Sequence, residues 1–294
     1  MLKSGKIIKG IAGFYYVYCE DRILYECKAK GIFRKNGEKP LVGDNVRLCV
    51  LDEENRLGNI ETILPRENEL IRPAVANIDQ AMVIFAVDHP KPNYYLLDRF
   101  LLMMEQKHLP CIIVFNKCDL SSEEEMAETA AIYENSGHAV YFISAKEGTG
   151  IGEVKKVLRG KTTTVAGPSG VGKSSFINCL QNEVQMETGE VSDKIERGKH
   201  TTRHSELIAL EDGSYIFDTP GFSSLSVFDL EKEDVKEFYP EFRKYKNQCR
   251  FLGCNHMNEP ECMVKKAVEE HKISPVRYEN YRLIFEECKN RKKY

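Results

Sequence analysis

Gly167-Pro168-Ser169-Gly170-Val171-Gly172-Lys173-Ser174 spaces two glycines, a lysine and a hydroxyl as G-x-x-x-x-G-K-[ST], between an apolar run and a helical pattern. In that setting the glycines let successive backbone N–H groups wrap a phosphate at a helix start, whose dipole also favours the anion. Lys173 would neutralise β- and γ-phosphates, Ser174 would place its hydroxyl on Mg²⁺, and Ser175 continues the same turn. Well upstream, Asn116-Lys117-Cys118-Asp119 closes another apolar run. A carboxylate at Asp119 can accept from the guanine ring N–H and 2-amino group; adenine would leave it unpaired. Ser144-Ala145-Lys146 ends the following run, where a backbone N–H could reach guanine O6.

Two further stretches complete the set. Asp218-Thr219-Pro220-Gly221 ends an apolar run. Its aspartate would hold Mg²⁺ through water, and the Gly221 N–H would meet the γ-phosphate. Between it and the phosphate loop lies "ERGKHTTRH" (196–204), polar and unpatterned, where a switch loop would close over Mg²⁺ through Thr201 or Thr202. Phe222 stands where many GTPases carry a water-orienting glutamine. Intrinsic turnover is therefore expected to be slow, with His200 the candidate for positioning water when a partner orders the loop. A surface or RNA-contacting histidine is the competing reading.

Cys249-x4-Cys254-x-His256-x5-Cys262 is a second chemistry. Three sulfurs and one nitrogen fill a closed tetrahedral shell, which predicts one structural Zn²⁺ with no open position for a substrate. A segment this small and polar needs the ion to hold its shape.

The elements that position these residues can be read from periodicity. Residues 1 to about 70 hold five short β-runs ("GKIIKGIAG", "FYYVYC", "ILYECKAKGIFR", "NVRLCVL", "GNIETIL") with turn chemistry between them. A small barrel follows, an oligonucleotide-binding (OB) fold first and an SH3-like one second. "RENELIRPAVAN" (66–77) reads as a linker. From Asp79 continuous apolar runs alternate with amphipathic segments, one of them opened by a Ser121–Glu124 capping box. Such alternation predicts a mostly parallel sheet covered by helices on both faces. "SELIAL" and "SYIFD" read as a hairpin that supplies an antiparallel edge strand. Residues 222–245 read as loop and acidic helix, and "SPVRYENYRLIFEECKNRKK" as a closing helix. The expected domains are a barrel at 1–70, a nucleotide-binding domain at 71–228 and a helical zinc-binding domain at 229–294.

Composition sets outer bounds. A chain of 294 residues with 42% hydrophobic content accommodates several cores. Its formal net charge of −3 excludes wholesale attraction to a polyanion, although Lys28, Lys30, Arg34, Lys35 and Lys39 make one stretch locally basic. No window approaches the roughly 18 apolar residues of a membrane span, and the expected location is the cytoplasm. There, the seven cysteines outside the cluster (Cys19, Cys27, Cys49, Cys111, Cys118, Cys179, Cys288) should be free thiols.

The order of the nucleotide motifs is base, base, phosphate, switch, switch. In a parallel sheet these loops open on one edge, so a ligand site depends on which loops converge and not on their order along the chain. Circular permutation accounts for that order. With NKCD ahead of GPSGVGKS, then "RGKHTTRH", "DTPGF" and "C…CNHMNEPEC", the chain resembles the RsgA (YjeQ) family of circularly permuted bacterial GTPases over essentially its whole length.

The resemblance implies an OB-type barrel, a permuted P-loop GTPase and a zinc domain. It further implies a role in late maturation of the 30S ribosomal subunit, contact with 16S rRNA, and slow GTP hydrolysis stimulated by that subunit. Nucleotide contacts carry over at Asn116, Lys117, Asp119 and Gly167 to Ser175, and zinc ligands at Cys249, Cys254, His256 and Cys262. The free protein is expected to be a monomer. A GTP-gated binding factor with another RNA, DNA or protein client, in which hydrolysis is only a reset, remains the alternative. Because the chain leaving Gly221 leads to the zinc domain, a change of nucleotide is expected to reorient that domain.

Overall fold

Period-two alternation turns the apolar side chains of the first strands to one face, and Val17 with Cys19, Tyr25 with Cys27, and Val46 with Leu48 are all buried. The computed structural model describes residues 1–35, 37–71, 74–188, 206–210, 213–218 and 230–291, with backbone alone at 32, 34, 71, 182–188 and 218. His200, Thr201, Thr202 and Gly221 lie outside the described residues.

The strands are β1 (Leu2–Ile11), β2 (Phe14–Cys19), β3 (Leu24–Ala29), β4 (Asn45–Asp52), β5 (Leu57–Ile63), β6 (Glu69–Ile71), β7 (Ala74–Ala76), β8 (Gln80–Ala86), β9 (Cys111–Asn116), β10 (Ala139–Phe142), β11 (Thr162–Ala166), β12 (Glu206–Ala209) and β13 (Tyr215–Asp218). The helices are α1 (Gly31–Lys35), α2 (Tyr94–Gln106), α3 (Glu123–Tyr133), α4 (Ile151–Leu158), α5 (Lys173–Thr188), α6 (Met263–Glu269) and α7 (Pro275–Asn290). The described residues fall into two compact units. One gathers Met1–Gln80, Val154–Ala166 and the residues from Phe176 to Asp218; the other gathers Ala81–Glu153, Gly167–Ser175 and the residues from Leu230 onward.

In the first unit β1 to β5 close a barrel in the order β1-β2-β3-β5-β4, with β4 pairing back onto β1. A parallel β3–β5 pair and a helix between β3 and β4 are the OB arrangement, not the SH3-like one. That helix, α1, replaces the end of the predicted third strand. Phe33 on it joins the barrel core beside Ile7, Ile60 and Ile63, burial that an extended "GIFR" would forgo.

The predicted linker is instead the β6–β7 hairpin. Its polar residues satisfy backbone and buried charge: Arg66 donates to both oxygens of fully buried Asp44 at 2.7 and 2.9 Å, and Asn77 Nδ2 donates to the Gly43 carbonyl at 3.0 Å. Polarity here marks local hydrogen bonding, not solvent exposure.

β11 runs parallel to β13, and β12 is antiparallel to β13, as the hairpin reading requires. The expected free edge is absent, because β12 pairs on its other side with β1 through Lys9 and Glu206.

In the second unit β8, β9 and β10 are parallel neighbours, and every residue of β8 and β9 is buried. Helix α3 starts one residue later than predicted: Ser122 is the N-cap and Glu125 completes the capping box, while Ser121 Oγ donates to the same carboxylate. Residues 232–245 form two 3-10 segments, Lys232–Phe238 and Pro240–Tyr245, in place of the expected acidic α-helix. Pro240 supplies no N–H to continue one helix through both.

Helix α7 buries Arg277, Asn280, Tyr281, Ile284 and Phe285. The spacing i, i+3, i+4, i+7, i+8 lays one stripe against α2 and the 3-10 segments. At its N-terminal end Arg277 Nη1 donates to Asp98 of α2 at 2.6 Å. Its Nε and Nη2 fork onto Glu241 at 2.8 and 3.1 Å. Asn280 supplies a further donor to Asp98 at 2.7 Å.

None of the ten cysteines is in a disulfide. No helix of the described residues is long and apolar enough to cross a membrane.

Candidate functional site

The sequence places the phosphate-binding motif between β11 and α5, and the glycines there are sterically compelled. Gly167 has φ +141°, and a Cβ on it would come 2.1 Å from the Ile84 carbonyl oxygen of β8. Gly172 has φ +91°, and its Cβ would meet Asn116 Nδ2 at 2.3 Å. Both positions combine a left-handed backbone with close approach, so a side chain would push the loop away from its neighbours. Lys173 Nζ lies along the loop, donating to the carbonyls of Gly167 at 2.8 Å and Pro168 at 2.6 Å. Ser169, Gly170, Ser174 and Ser175 are exposed, and Val171 is buried.

Asn116 ends β9 at 2% exposure and joins three loops. Its Nδ2 donates to the Val171 carbonyl at 2.9 Å, while its Oδ1 accepts from the N–H groups of Lys117 at 2.8 Å and Ala145 at 3.0 Å. The residue thus carries the geometry of the loops, and the Ala145 N–H is engaged within the protein. Lys117, at φ +64°, reaches back to the Gly170 carbonyl at 2.9 Å and to the His89 carbonyl.

Cys118 N donates to Ile143 O at 3.0 Å, tying this turn to the end of β10. Ser144 is fully buried and accepts at Oγ from Glu147 N at 3.2 Å, which folds the next loop on itself. Asp119 is exposed at the rim. The structure therefore brings together Asn116, Lys117, Cys118, Ser144, Ala145 and the loop from Gly167 to Ser175. Asp218 ends β13 in the other unit, opposite Val165 of β11.

The second cluster is Cys249, Cys254, His256 and Cys262, whose ligand atoms all lie within 4.8 Å of one another. His256 Nδ1 faces the sulfurs, 3.3 Å from Cys262 and 3.6 Å from Cys249, and the Cys249 and Cys262 sulfurs are 3.9 Å apart. Ligands bonded at about 2.3 Å to a tetrahedral ion stand roughly 3.8 Å from one another, so the spacing fits such an ion. Burial lowers the His256 pKa to about 4 and keeps the imidazole in the neutral form that ligates.

Residues that the motif does not reveal hold the knuckle from outside. Tyr278 and Tyr281 of α7 donate to the carbonyls of His256 at 2.7 Å and Asn255 at 2.5 Å. Lys236 donates to Cys254 O at 3.0 Å, and Glu259 accepts from the N–H groups of Asn255 and Met257, both at 2.8 Å. Of these, Tyr281 lies on the buried stripe of α7, whereas Tyr278, Lys236 and Glu259 carry no such signal in the sequence.

Known proteins share this plan. The family model described as RsgA GTPase matches residues 63–228, and that described as RsgA N-terminal domain matches residues 4–60. A protein from Agathobacter rectalis named small ribosomal subunit biogenesis GTPase RsgA is 63% identical, the match covering 99% of this chain and 100% of that protein. One of the same name from Alkaliphilus metalliredigens is 47% identical over 100% of both. The crystal structure of YjeQ from Thermotoga maritima superposes with a TM-score of 0.81 at 36% identity, covering 99% of this chain and 100% of that one. That of YloQ, a circularly permuted GTPase, gives 0.79 at 37% identity over 100% and 97%. With the recognition loop around Asn116 folded onto a phosphate loop that follows it in the chain, and with likeness over the whole length, the chain belongs to the RsgA GTPase family of GTP hydrolases.

Proposed function

We propose that this chain hydrolyses GTP in the cytoplasm during biogenesis of the small (30S) ribosomal subunit, binding 16S rRNA and turning over faster when the subunit is bound. The observation that carries the nucleotide reading is the Asn116 side chain, which spans the base-reading turn, the Ala145 loop and the phosphate loop. The relatives' shared name and their full-length likeness carry the ribosomal reading.

In this reading Asp119 accepts from the guanine edge, and the N–H groups from Gly170 to Ser175 cradle the phosphates beside Lys173. Ser174, Asp218 and Thr201 or Thr202 hold Mg²⁺, which neutralises charge on the transferred phosphate. Gly221 senses that phosphate, and His200 positions water. Cys249, Cys254, His256 and Cys262 hold one structural Zn²⁺, as three soft sulfurs and an imidazole within 4.8 Å of one another favour. The domains run 1–70 (RNA-binding barrel), 71–228 (GTPase) and 229–294 (zinc module).

The test is GTP turnover alone, with purified small subunits and with large subunits. Strong stimulation by small subunits only is expected. Equal stimulation by both, or none, would overturn the ribosomal assignment.

A further inference from the structure

Strand β1 is used along one edge by two partners. From Leu2 to Lys6 it pairs with β4 and closes the barrel. Between Ile7 and Lys9 its register against β2 slips by one residue, leaving Ile8 as a bulge. A bulge bends a strand and re-aims its edge. Beyond it, Lys9 pairs antiparallel with Glu206, the first residue of β12.

Side chains reinforce the junction. Lys9 Nζ lies 3.0 Å from the Glu206 carboxylate. The Tyr18 ring of β2 meets Tyr215 of β13 edge-on, with centroids 6.5 Å apart, and the Lys6 ammonium sits 5.5 Å above the same Tyr215 ring. Burial raises the Tyr215 pKa to about 12 and lowers that of Lys6, as enclosure at a junction does.

The hairpin so gripped occupies a particular place in the chain. One residue separates Glu206 from the segment that holds His200, Thr201 and Thr202, and β13 ends at Asp218. Main-chain pairing cannot slide by one residue without turning every side chain to the opposite face. A displacement of β1 is therefore passed on to β12 and, through the hairpin register, to both of its ends.

We propose that the β1–β12 junction, with Lys9, Glu206, Tyr18 and Tyr215 as positioning residues, couples RNA engagement by the barrel to GTP hydrolysis. This rests on the proposed function in taking RNA as the barrel's ligand and Asp218 as the Mg²⁺ carboxylate. The four residues act through the hairpin, by fixing where its ends stand. A barrel serving only as an anchor would need no main-chain pairing with this hairpin.

The test compares Lys9→Glu, Glu206→Lys and the double reversal with the unaltered chain. GTP turnover is measured alone and with purified small subunits, and amide exchange of β1 is followed with GDP and with a non-hydrolysable GTP analogue. Each single reversal should leave unstimulated turnover and subunit binding within about twofold, since the pair is partly exposed, and cut the stimulation by roughly fivefold or more. The double reversal should regain most of it. By reciprocity the nucleotide acts back on the barrel, so the amides of Lys9 to Ile11 should exchange at different rates in the two nucleotide forms, a difference that the single reversals abolish. Full stimulation in the single reversals, no recovery in the double, or a β1 blind to nucleotide in the unaltered chain would overturn the coupling. An unaltered chain that small subunits fail to stimulate overturns the proposed function instead, and the exchange measurement then decides the coupling by itself.

Discussion

Asp119 is exposed at the rim of its turn, whereas Asn116, three residues earlier, is sealed from solvent, and that contrast divides the labour of the motif. Asp119→Asn should exchange two acceptors for a donor and an acceptor, so guanine affinity should fall by roughly tenfold to a hundredfold while xanthine nucleotides gain. Titration with GTP and XTP checks this. Asn116→Ala should act differently. It removes the bonds that Asn116 makes to the Val171 carbonyl and to the Ala145 and Lys117 N–H groups, at a cost of about 1–3 kcal/mol, weakening GTP and XTP alike. The motif's residue types made its chemistry legible in the sequence. Its partners were not, because they come from loops distant in the chain. The α3 cap shows the limit at short range: Ser121–Glu124 and Ser122–Glu125 fit one pattern, and only the reciprocal bonds between Ser122 and Glu125 select the second.

Elements were legible where one periodicity governed them and obscure where polar side chains served backbone. Strands β8 and β9 and the stripe of α7 are of the first kind. The β6–β7 hairpin is of the second, since Arg66 and Asn77 read as solvent-loving until Asp44 and the Gly43 carbonyl are seen beneath them. The charges between α2 and α7 lie deeper still: the side chains of Asp98, Arg277 and Glu241 are at most 4% exposed. Arg277→Ala would leave two carboxylates buried without their cation, so a loss of about 3–5 kcal/mol is expected, read in denaturant unfolding. Arg277→Lys should rescue little, because an ammonium cannot fork onto Glu241 while holding Asp98. Metal removal tests the same layer from the other side. A strong chelator should release one zinc per chain and lower the melting temperature, because without the ion Cys249, Cys254, His256 and Cys262 no longer bind the knuckle that Tyr278 and Tyr281 support.

At the scale of the whole molecule, the order of motifs suggests that a loop sensing the γ-phosphate tethers the metal module and swings it. The packing of α7 on α2 argues for a different motion. Typical coupling between a nucleotide and a distant element is about 1–3 kcal/mol, whereas parting α7 from α2 and the 3-10 segments would expose Tyr281, Ile284 and Phe285, at about 1.5–3 kcal/mol for each. The smaller term cannot open the larger contact. The module should therefore travel with α2, and a change of nucleotide should move helix and module together. Amide exchange along α7 distinguishes the two motions. The amides from Asn280 to Phe285 should exchange equally slowly with GDP and with a non-hydrolysable GTP analogue, and roughly a hundredfold or more faster in Arg277→Ala. If the GTP analogue alone raised exchange in α7 to the level of that variant, the module would be detaching on nucleotide binding, and the Asp98–Arg277–Glu241 contact would be a latch in place of a fixed joint.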